Sequence, residues 1–414
     1  MPTSQFPIEW VRASFPALNT KENFVFFDNG AGAQVPQTVL DAVQHHLLTR
    51  NVQRGGRYRH SREVDEAIRS ARESVAVFLN ARESAEVAFG MNATSFIRIV
   101  SQAIAENLGS RREIIVSDLD HEANVATWLD LQRRGFEIRW WKMREDGTLD
   151  PSDLGPLLTS GTRLVACTVA SNALGSIVDV KEVARMAHAA GAEVFLDAVH
   201  YAPHGPLDVQ DLDCDYLVCS GYKIFAPHMG FVWGKRAALE ALPTFREDFI
   251  PNQVPMKIEV GTFVYENVAG MDAAIGYLEQ LGISIGAHPG ASRRARLVHA
   301  MEAIRSYETA LSRELIKELS TLDGAIIYGV RDPQKEKQRV PTVCFNLRGV
   351  APAKVSEACA AQSIGVRDGN MYSPRLLQRL SIAADTGAVR ASLVHYNTTD
   401  EIHRFIDVLR RIES

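Results

Sequence analysis

No uninterrupted apolar stretch in this sequence approaches the ~20 residues that a membrane-spanning helix needs, so no bilayer span is expected. Cysteine is sparse. The five, Cys167, Cys214, Cys219, Cys344 and Cys359, form no Cys-x-x-Cys pair and no Cys/His cluster of metal-ligand spacing, which leaves a metal site without support. An odd number of scattered thiols among apolar neighbours predicts reduced, buried cysteines in a cytoplasmic protein. Charge of one sign is also missing: 45 Lys and Arg stand against 50 Asp and Glu, for a net −5, and the signs are mixed along the chain. A nucleic-acid or anionic-membrane surface needs clustered Lys and Arg, so neither partner is expected. The opening MPTSQFPIEWVRASFP lacks the basic stretch and apolar run of a secretory signal. Internal repeats and low-complexity tracts are absent too.

What is present is an ordinary globular balance, 46% hydrophobic and 23% charged over 414 residues, with enough length for two or three units at ~100–200 residues each. The middle of the chain alternates short β-type runs with helical patterns. Ile114–Ser117, Phe136–Trp141, Arg163–Val169, Glu193–Asp197, Tyr216–Ser220 and Gly230–Trp233 read as strands, with helices over Glu122–Arg134 and about Val180–Ala190. Strands joined by crossover helices predict an α/β fold with a mostly parallel sheet covered on both faces. Beyond Gly270 the character changes. Ala291–Leu319, Lys354–Gln362 and Thr399–Ile412 read as helices, and Ala325–Tyr328, Thr342–Leu347 and Arg390–His395 as strands. The expected organisation is an N-terminal segment, 1–24, packing with a small domain; a large domain, 25–285; and a small C-terminal α+β domain, 286–414.

Ligands of open α/β sheets bind beyond the carboxyl ends of the strands, and polar residues collect there. Glu193–Asp197 ends in Asp197 with His200 close behind, Tyr216–Ser220 runs into Gly221, Tyr222 and Lys223, Val169 leads to Ser171 and Asn172, and Ser117 leads to Asp118, Asp120 and His121. Taken alone, a lysine just past a strand is a solvated surface residue. The turn Ser-Gly-Tyr-Lys, however, sets backbone donors and two hydroxyls beside the amine. A pyridoxal-5′-phosphate (PLP) site needs a lysine for the imine, a carboxylate facing the ring nitrogen and donors for the phosphate. Asp197 is placed to be that carboxylate and would equally serve as a helix N-cap.

At this point the residues resemble a known family. LDAVHYAPHGPLDVQDLDCDYLVCSGYK is similar to the cofactor-lysine region of the class V aminotransferases, in particular the group II cysteine desulfurases and selenocysteine lyases. FFDNGAGAQVPQTVLDAV, NVQRGG, DHEANVATW, SNALGSIVDV, VGTFVYENVAG and VRASLVHYNT follow in the family's order. The resemblance covers nearly the whole chain. It implies the fold type I PLP architecture, with a seven-stranded, mostly parallel sheet in the large domain, and a homodimer with active sites at the subunit interface. It further implies Lys223 as the cofactor lysine, Asp197 as partner of the ring nitrogen, His121 as the imidazole stacked on the ring, and Asn172 near the ring oxygen and substrate carboxylate. Ala93 and Thr94, with Ser220, correspond to the phosphate cradle, where a helix N-terminus favours an anion. Thr262 corresponds to a phosphate contact made from the other subunit, and Arg390 to the holder of the substrate carboxylate, a task suited to its two-pronged donors.

The departures bear on function. His200 stands where the desulfurases have glutamine and Tyr222 where they have histidine, and both remain candidate cofactor contacts. In the Arg-x-Gly-x-x-Cys loop this chain reads Arg367-Asp368-Gly369-Asn370-Met371-Tyr372, with tyrosine at the cysteine's place. The remaining cysteines fall in or beside predicted strands and a helix. Without a thiolate no enzyme persulfide forms. The expectation is a PLP-dependent enzyme acting on a small amino acid, either a lyase that eliminates a sulfur- or selenium-bearing β-substituent or, alternatively, an aminotransferase or epimerase. A non-catalytic PLP-binding protein is a further alternative. Tyr372 is a candidate substrate contact or packing group. Phe263 and Val264 are candidates for reshaping the substrate mouth across the dimer, and Arg54 for a surface arginine or the holder of a second acidic group.

Overall fold

The computed structural model describes residues 6–413 apart from 108, 289 and 384; residues 1–5 of the expected N-terminal segment lie outside the described residues. A short strand, β1 (Val25–Phe26), precedes a sheet built from β2 (Val87–Gly90), β3 (Glu113–Ser117), β4 (Glu137–Trp141), β5 (Thr162–Thr168), β6 (Glu193–Asp197), β7 (Tyr216–Ser220) and β8 (Gly230–Gly234). These seven strands run in the order β2-β8-β7-β6-β5-β3-β4. Strands β4, β3, β5, β6 and β7 are mutually parallel, while β8 is antiparallel to both β7 and β2. The mostly parallel seven-stranded sheet is the architecture expected from the sequence.

Period-2 alternation sends successive side chains to opposite faces, and here both faces are buried. Ile115, Val194, Leu196, Leu217 and Cys219 join one hydrophobic core, whereas Ile114, Val116, Phe195, Tyr216 and Val218 join a second. This is why the strands read as near-continuous apolar runs.

A second sheet, of β9 (Ala325–Tyr328), β10 (Thr342–Leu347), β12 (Arg367–Gly369) and β13 (Ala388–Ser392), is antiparallel in the order β12-β13-β10-β9. Strand β11 (Ile364–Gly365) pairs in parallel with β1. A third core lies behind this region, from Val343, Phe345, Val389 and Ala391 with Leu311, Leu315, Phe405 and Ile406, and it also takes in Val25 and Phe27. The helix Arg293–Leu319 spans two cores, since its Leu297, Ala300 and Ile304 belong to the first. From the N-terminal helix Ile8–Ser14, Arg12 pairs with Glu401 at 2.8 Å and Trp10 stacks on Tyr277.

One expected strand is shorter than the sequence suggests. The run Arg390–His395 leaves the ladder after Ser392. The Leu393 N–H still donates to the Pro341 carbonyl at 2.9 Å, but the Asn397 side chain accepts the Val394 N–H at 2.9 Å and turns that donor away from sheet pairing.

Candidate active site

A cleft opens at the carboxyl ends of the parallel strands and is lined by Ala93, Thr94, His121, Asn172, Asp197, His200, Ser220, Tyr222 and Lys223. Residues separated by up to 130 positions thus converge where an open α/β sheet places its ligands. Asn92, Ile97, Ala123, Thr168 and Val199 complete the lining and were not singled out from the sequence. The signal for Asn92 was its place before Ala-Thr-Ser: its Oδ1 accepts the Ser95 N–H at 2.9 Å and caps the helix Ala93–Glu106. Gly230 lets that helix start seat against β8, because a Cβ there would come within 2.5 Å of the Asn92 carbonyl carbon.

Asp197 ends β6 and accepts the Val199 N–H at 2.9 Å through Oδ1. Burial raises its carboxyl above the ordinary value, with the Val199 N–H and the Lys223 charge opposing. Lys223, in the turn after β7, is buried. Burial, and then the Arg390 charge, lower its amine to about 8. His121 Nδ1 accepts the Ala123 N–H at 3.0 Å, and burial, with Lys223 and Arg390 nearby, lowers its ring to about 4, so it is neutral. Ser220 Oγ accepts the Ala93 N–H at 3.2 Å, tying the helix start to the end of β7.

Arg390 lies on β13, outside the lining. Its Nη1 donates to the Asn172 carbonyl at 2.9 Å and its Nη2 to Asp28 Oδ1 at 2.9 Å. Asp28 also pairs with Arg367, at 2.7 Å, and so bridges two guanidiniums. Close approach is possible because residue 30 is glycine, where a Cβ would meet Arg390 Cζ at 2.9 Å. Asp28 stood in the FFDNGAG motif, but nothing local marked it as a bridge.

Tyr372 sits at the mouth, 58% exposed, with its ring 5.8 Å from that of His121. Its loop is tied to the wall: Asn172 Nδ2 donates to the Met371 carbonyl at 2.7 Å and the Glu122 N–H to the Tyr372 carbonyl at 2.8 Å. Thr262 is not brought to the cleft. It is exposed, 3.4 Å from Gln53. Phe263 is buried in its own chain's core, and Arg54 lies over its ring, paired with the buried Glu259.

These residues fit PLP. Facing one cleft are a buried amine with a lowered pKa, a buried carboxylate at the end of the neighbouring strand, a helix start with N–H donors, and a buried ring nitrogen, His200 Nδ1, without a partner among the described residues.

Comparison with known proteins gives the same result. Residues 25–405 match the family described as Aminotransferase class-V. The chain is similar to Aminotransferase-like protein FGM3 of Gibberella zeae, 34% identical over 422 residues and covering 100% of both. It is also similar to a probable cysteine desulfurase of Synechocystis sp., 33% identical, with 97% of this chain and 94% of the relative covered. Among solved structures it is similar to the apo structure of a cysteine desulfurase from Thermococcus onnurineus NA1, with a TM-score of 0.87, 25% identity, and 100% and 99% of the two chains covered. The chain belongs to the class V aminotransferase family and is a PLP-dependent enzyme.

Proposed function

We propose that this enzyme is a C–S or C–Se lyase of cysteine desulfurase-like type that eliminates the β-substituent of a small amino acid without an enzyme persulfide. The observation that carries the reading is the absence of a usable thiol at the cleft. The five cysteines are buried and none lines it. Burial raises Cys344 and Cys359 to about 12 and lifts the thiols of Cys167, Cys214 and Cys219 further. Tyr372 occupies the loop position instead.

Bound PLP supplies an aldehyde that condenses with amines and a cationic ring that withdraws electrons from the substrate Cα. Lys223 would hold it, and its amine would take the proton from the substrate Cα. An amine lowered to about 8 has a neutral fraction for that work near neutral pH. Asp197 would pair with the ring nitrogen, His121 would stack on the ring and His200 would donate to the ring oxygen. The helix start at Ala93 and Thr94, with Ser220 and Tyr222, would hold the phosphate. In a homodimer with sites at the interface, Thr262 reaches the partner's phosphate. Asn172 and Arg390 orient the substrate carboxylate, and Tyr372 packs at the mouth. The net reaction takes the amino acid and one water to pyruvate, ammonia and the protonated leaving group. Selenocysteine or a cystine-like disulfide fits, because either leaves without attack by an enzyme thiol.

The 34% identity to a protein named aminotransferase-like favours a second reading, transamination or epimerisation at the same site. A panel of amino acids, followed by absorbance and product mass, separates the two. Pyruvate with the starting cofactor form supports elimination, whereas a pyridoxamine form with a keto acid supports transamination. Full turnover by Lys223→Ala would remove both.

A further inference from the structure

His200 follows β6 and lines the cleft, buried. Its Nε2 lies 2.9 Å from Thr342 Oγ1, while its Nδ1 has no partner among the described residues. Thr342 opens β10 of the four-stranded sheet and is 0% exposed. Its carbonyl accepts from Arg339, but among the described residues its hydroxyl has no hydrogen-bond partner other than His200 Nε2.

Two arrangements satisfy the pair. If Nε2 carried the proton, it would donate to Thr342 Oγ1, and the buried Thr342 O–H would be left with no acceptor, a costly state. If Thr342 donates, Nε2 is the acceptor, and the one proton left without an acceptor among the described residues, Nδ1–H, belongs to a residue that lines the cleft, where a ligand can accept it. A neutral imidazole carries one proton, so it then sits on Nδ1. The ring is held neutral by burial foremost, with the Lys223 and Arg390 charges acting in the same direction. His204 does not compete for Nδ1: its own Nδ1 is committed to Glu308 at 2.7 Å, and the two imidazoles meet edge-on at 5.5 Å.

We propose that Thr342 is a positioning residue whose hydroxyl fixes His200 in the Nδ1–H tautomer, so that the smaller sheet determines a hydrogen-bond donor in the wall of the cofactor cleft. The acceptor it serves is the ring oxygen of PLP, which rests on the reading of His200 as a cofactor contact. The donor replaces one that an amide would give without help, since an amide N–H₂ is always a donor and an imidazole nitrogen only in one tautomer.

The test uses the full-length holoenzyme labelled with 15N-histidine, with the His200 signals assigned by their loss in His200→Gln. The wild type and Thr342→Ser are expected to show a protonated Nδ1 and a bare Nε2. Thr342→Val, close in volume but without the hydroxyl, is expected to show a mixture of the two tautomers once PLP is removed, because neither ring nitrogen then has a partner, whereas the wild type keeps the Nδ1–H form with and without PLP. The same variant should release PLP about tenfold faster, the effect of losing one hydrogen bond to a charged oxygen, and Thr342→Ser should restore retention. A protonated Nε2 in the wild type, or a single Nδ1–H tautomer in PLP-free Thr342→Val, overturns the proposal. Borohydride that fails to fix PLP to Lys223 would instead overturn the proposed cofactor arrangement, and the tautomer measurement stands apart from that result.

Discussion

The two sides of the cleft are built differently. The inner wall consists of strand ends: Asp197 closes β6 and Ser220 closes β7, two strands with a neighbour on each side, Lys223 follows in the next turn, and all three are buried. The outer rim is the loop 369–373, in which Gly369, Met371 and Tyr372 have φ values of 109°, 55° and 56°. Two of those residues carry a Cβ and bear the left-handed conformation at a cost. Groups for the shared cofactor chemistry thus stand on rigid strands. The residue that departs from the desulfurase pattern stands on a strained, exposed turn that substitution can alter without disturbing a core. Variants on the wall should therefore change cofactor binding and turnover together, and variants on the rim should change substrate use alone.

The sharpest break in that comparison is Lys223→Ala. Borohydride should no longer fix PLP to the protein, and turnover should fall by about 10³-fold or more, since the proposed function makes the residue both anchor and proton carrier. Peptide mass mapping and steady-state rates check both. Next is the bridge between wall and rim. Asp28→Ala leaves Arg390, 2% exposed, with only the Asn172 carbonyl, and leaves Arg367 without its carboxylate. An unpaired buried guanidinium is strongly destabilising. With Asp28 partly open to solvent, the expected loss in denaturant unfolding is about 2 kcal/mol, and KM should rise more than kcat falls. Asp28→Asn, which still accepts a hydrogen bond, should lose less of both.

A smaller effect is read in pH. Attack on the PLP aldehyde requires the neutral amine, and burial with Arg390 lowers Lys223 to about 8 in the cofactor-free protein. The protonated fraction falls as pH rises, so the rate of reconstitution should climb through a midpoint near 8. An ordinary lysine would place that midpoint near 10.4. Stopped-flow absorbance over pH 6–10 measures it, and Tyr372 variants should leave it unmoved. A midpoint that follows the rim would break the division between the two sides.

The wall was legible in the sequence because its signals are local. Apolar runs ending in Asp197 and Ser220, a small turn ahead of Lys223, and His121 just past a strand each announce a strand end within a few residues. What was not legible depends on segments far apart in the chain. Asp28 meets Arg390 across 362 positions, and Thr342 meets His200 across 142. No periodicity connects such pairs. Arg390 lay in a strand that reads past its true end, because the residue that stops it, Asn397, acts through a side chain. Tyr372 was legible as an identity at a motif position, but the left-handed backbone beneath it was not.

That backbone gives the smallest prediction and the one that isolates the rim. At residue 372 three changes separate ring, hydroxyl and strain. Tyr372→Phe removes only the hydroxyl. If the side chain packs rather than donates a proton, kcat should change by less than about threefold, well short of the 10²–10⁴ that a general acid contributes. Tyr372→Ala removes the ring and keeps a Cβ at φ 56°, so stability stays near the parent while preference among substrate side chains broadens. Tyr372→Gly also removes the ring but relieves the left-handed conformation, and should be more stable than Tyr372→Ala by up to about 1 kcal/mol. The Gly–Ala difference reads the strain alone, and the Phe–Tyr difference reads the hydroxyl alone. A kcat loss of 10²-fold or more in Tyr372→Phe would make the rim a participant in chemistry rather than a boundary of the substrate, and the contrast between the two sides of the cleft would fail there first.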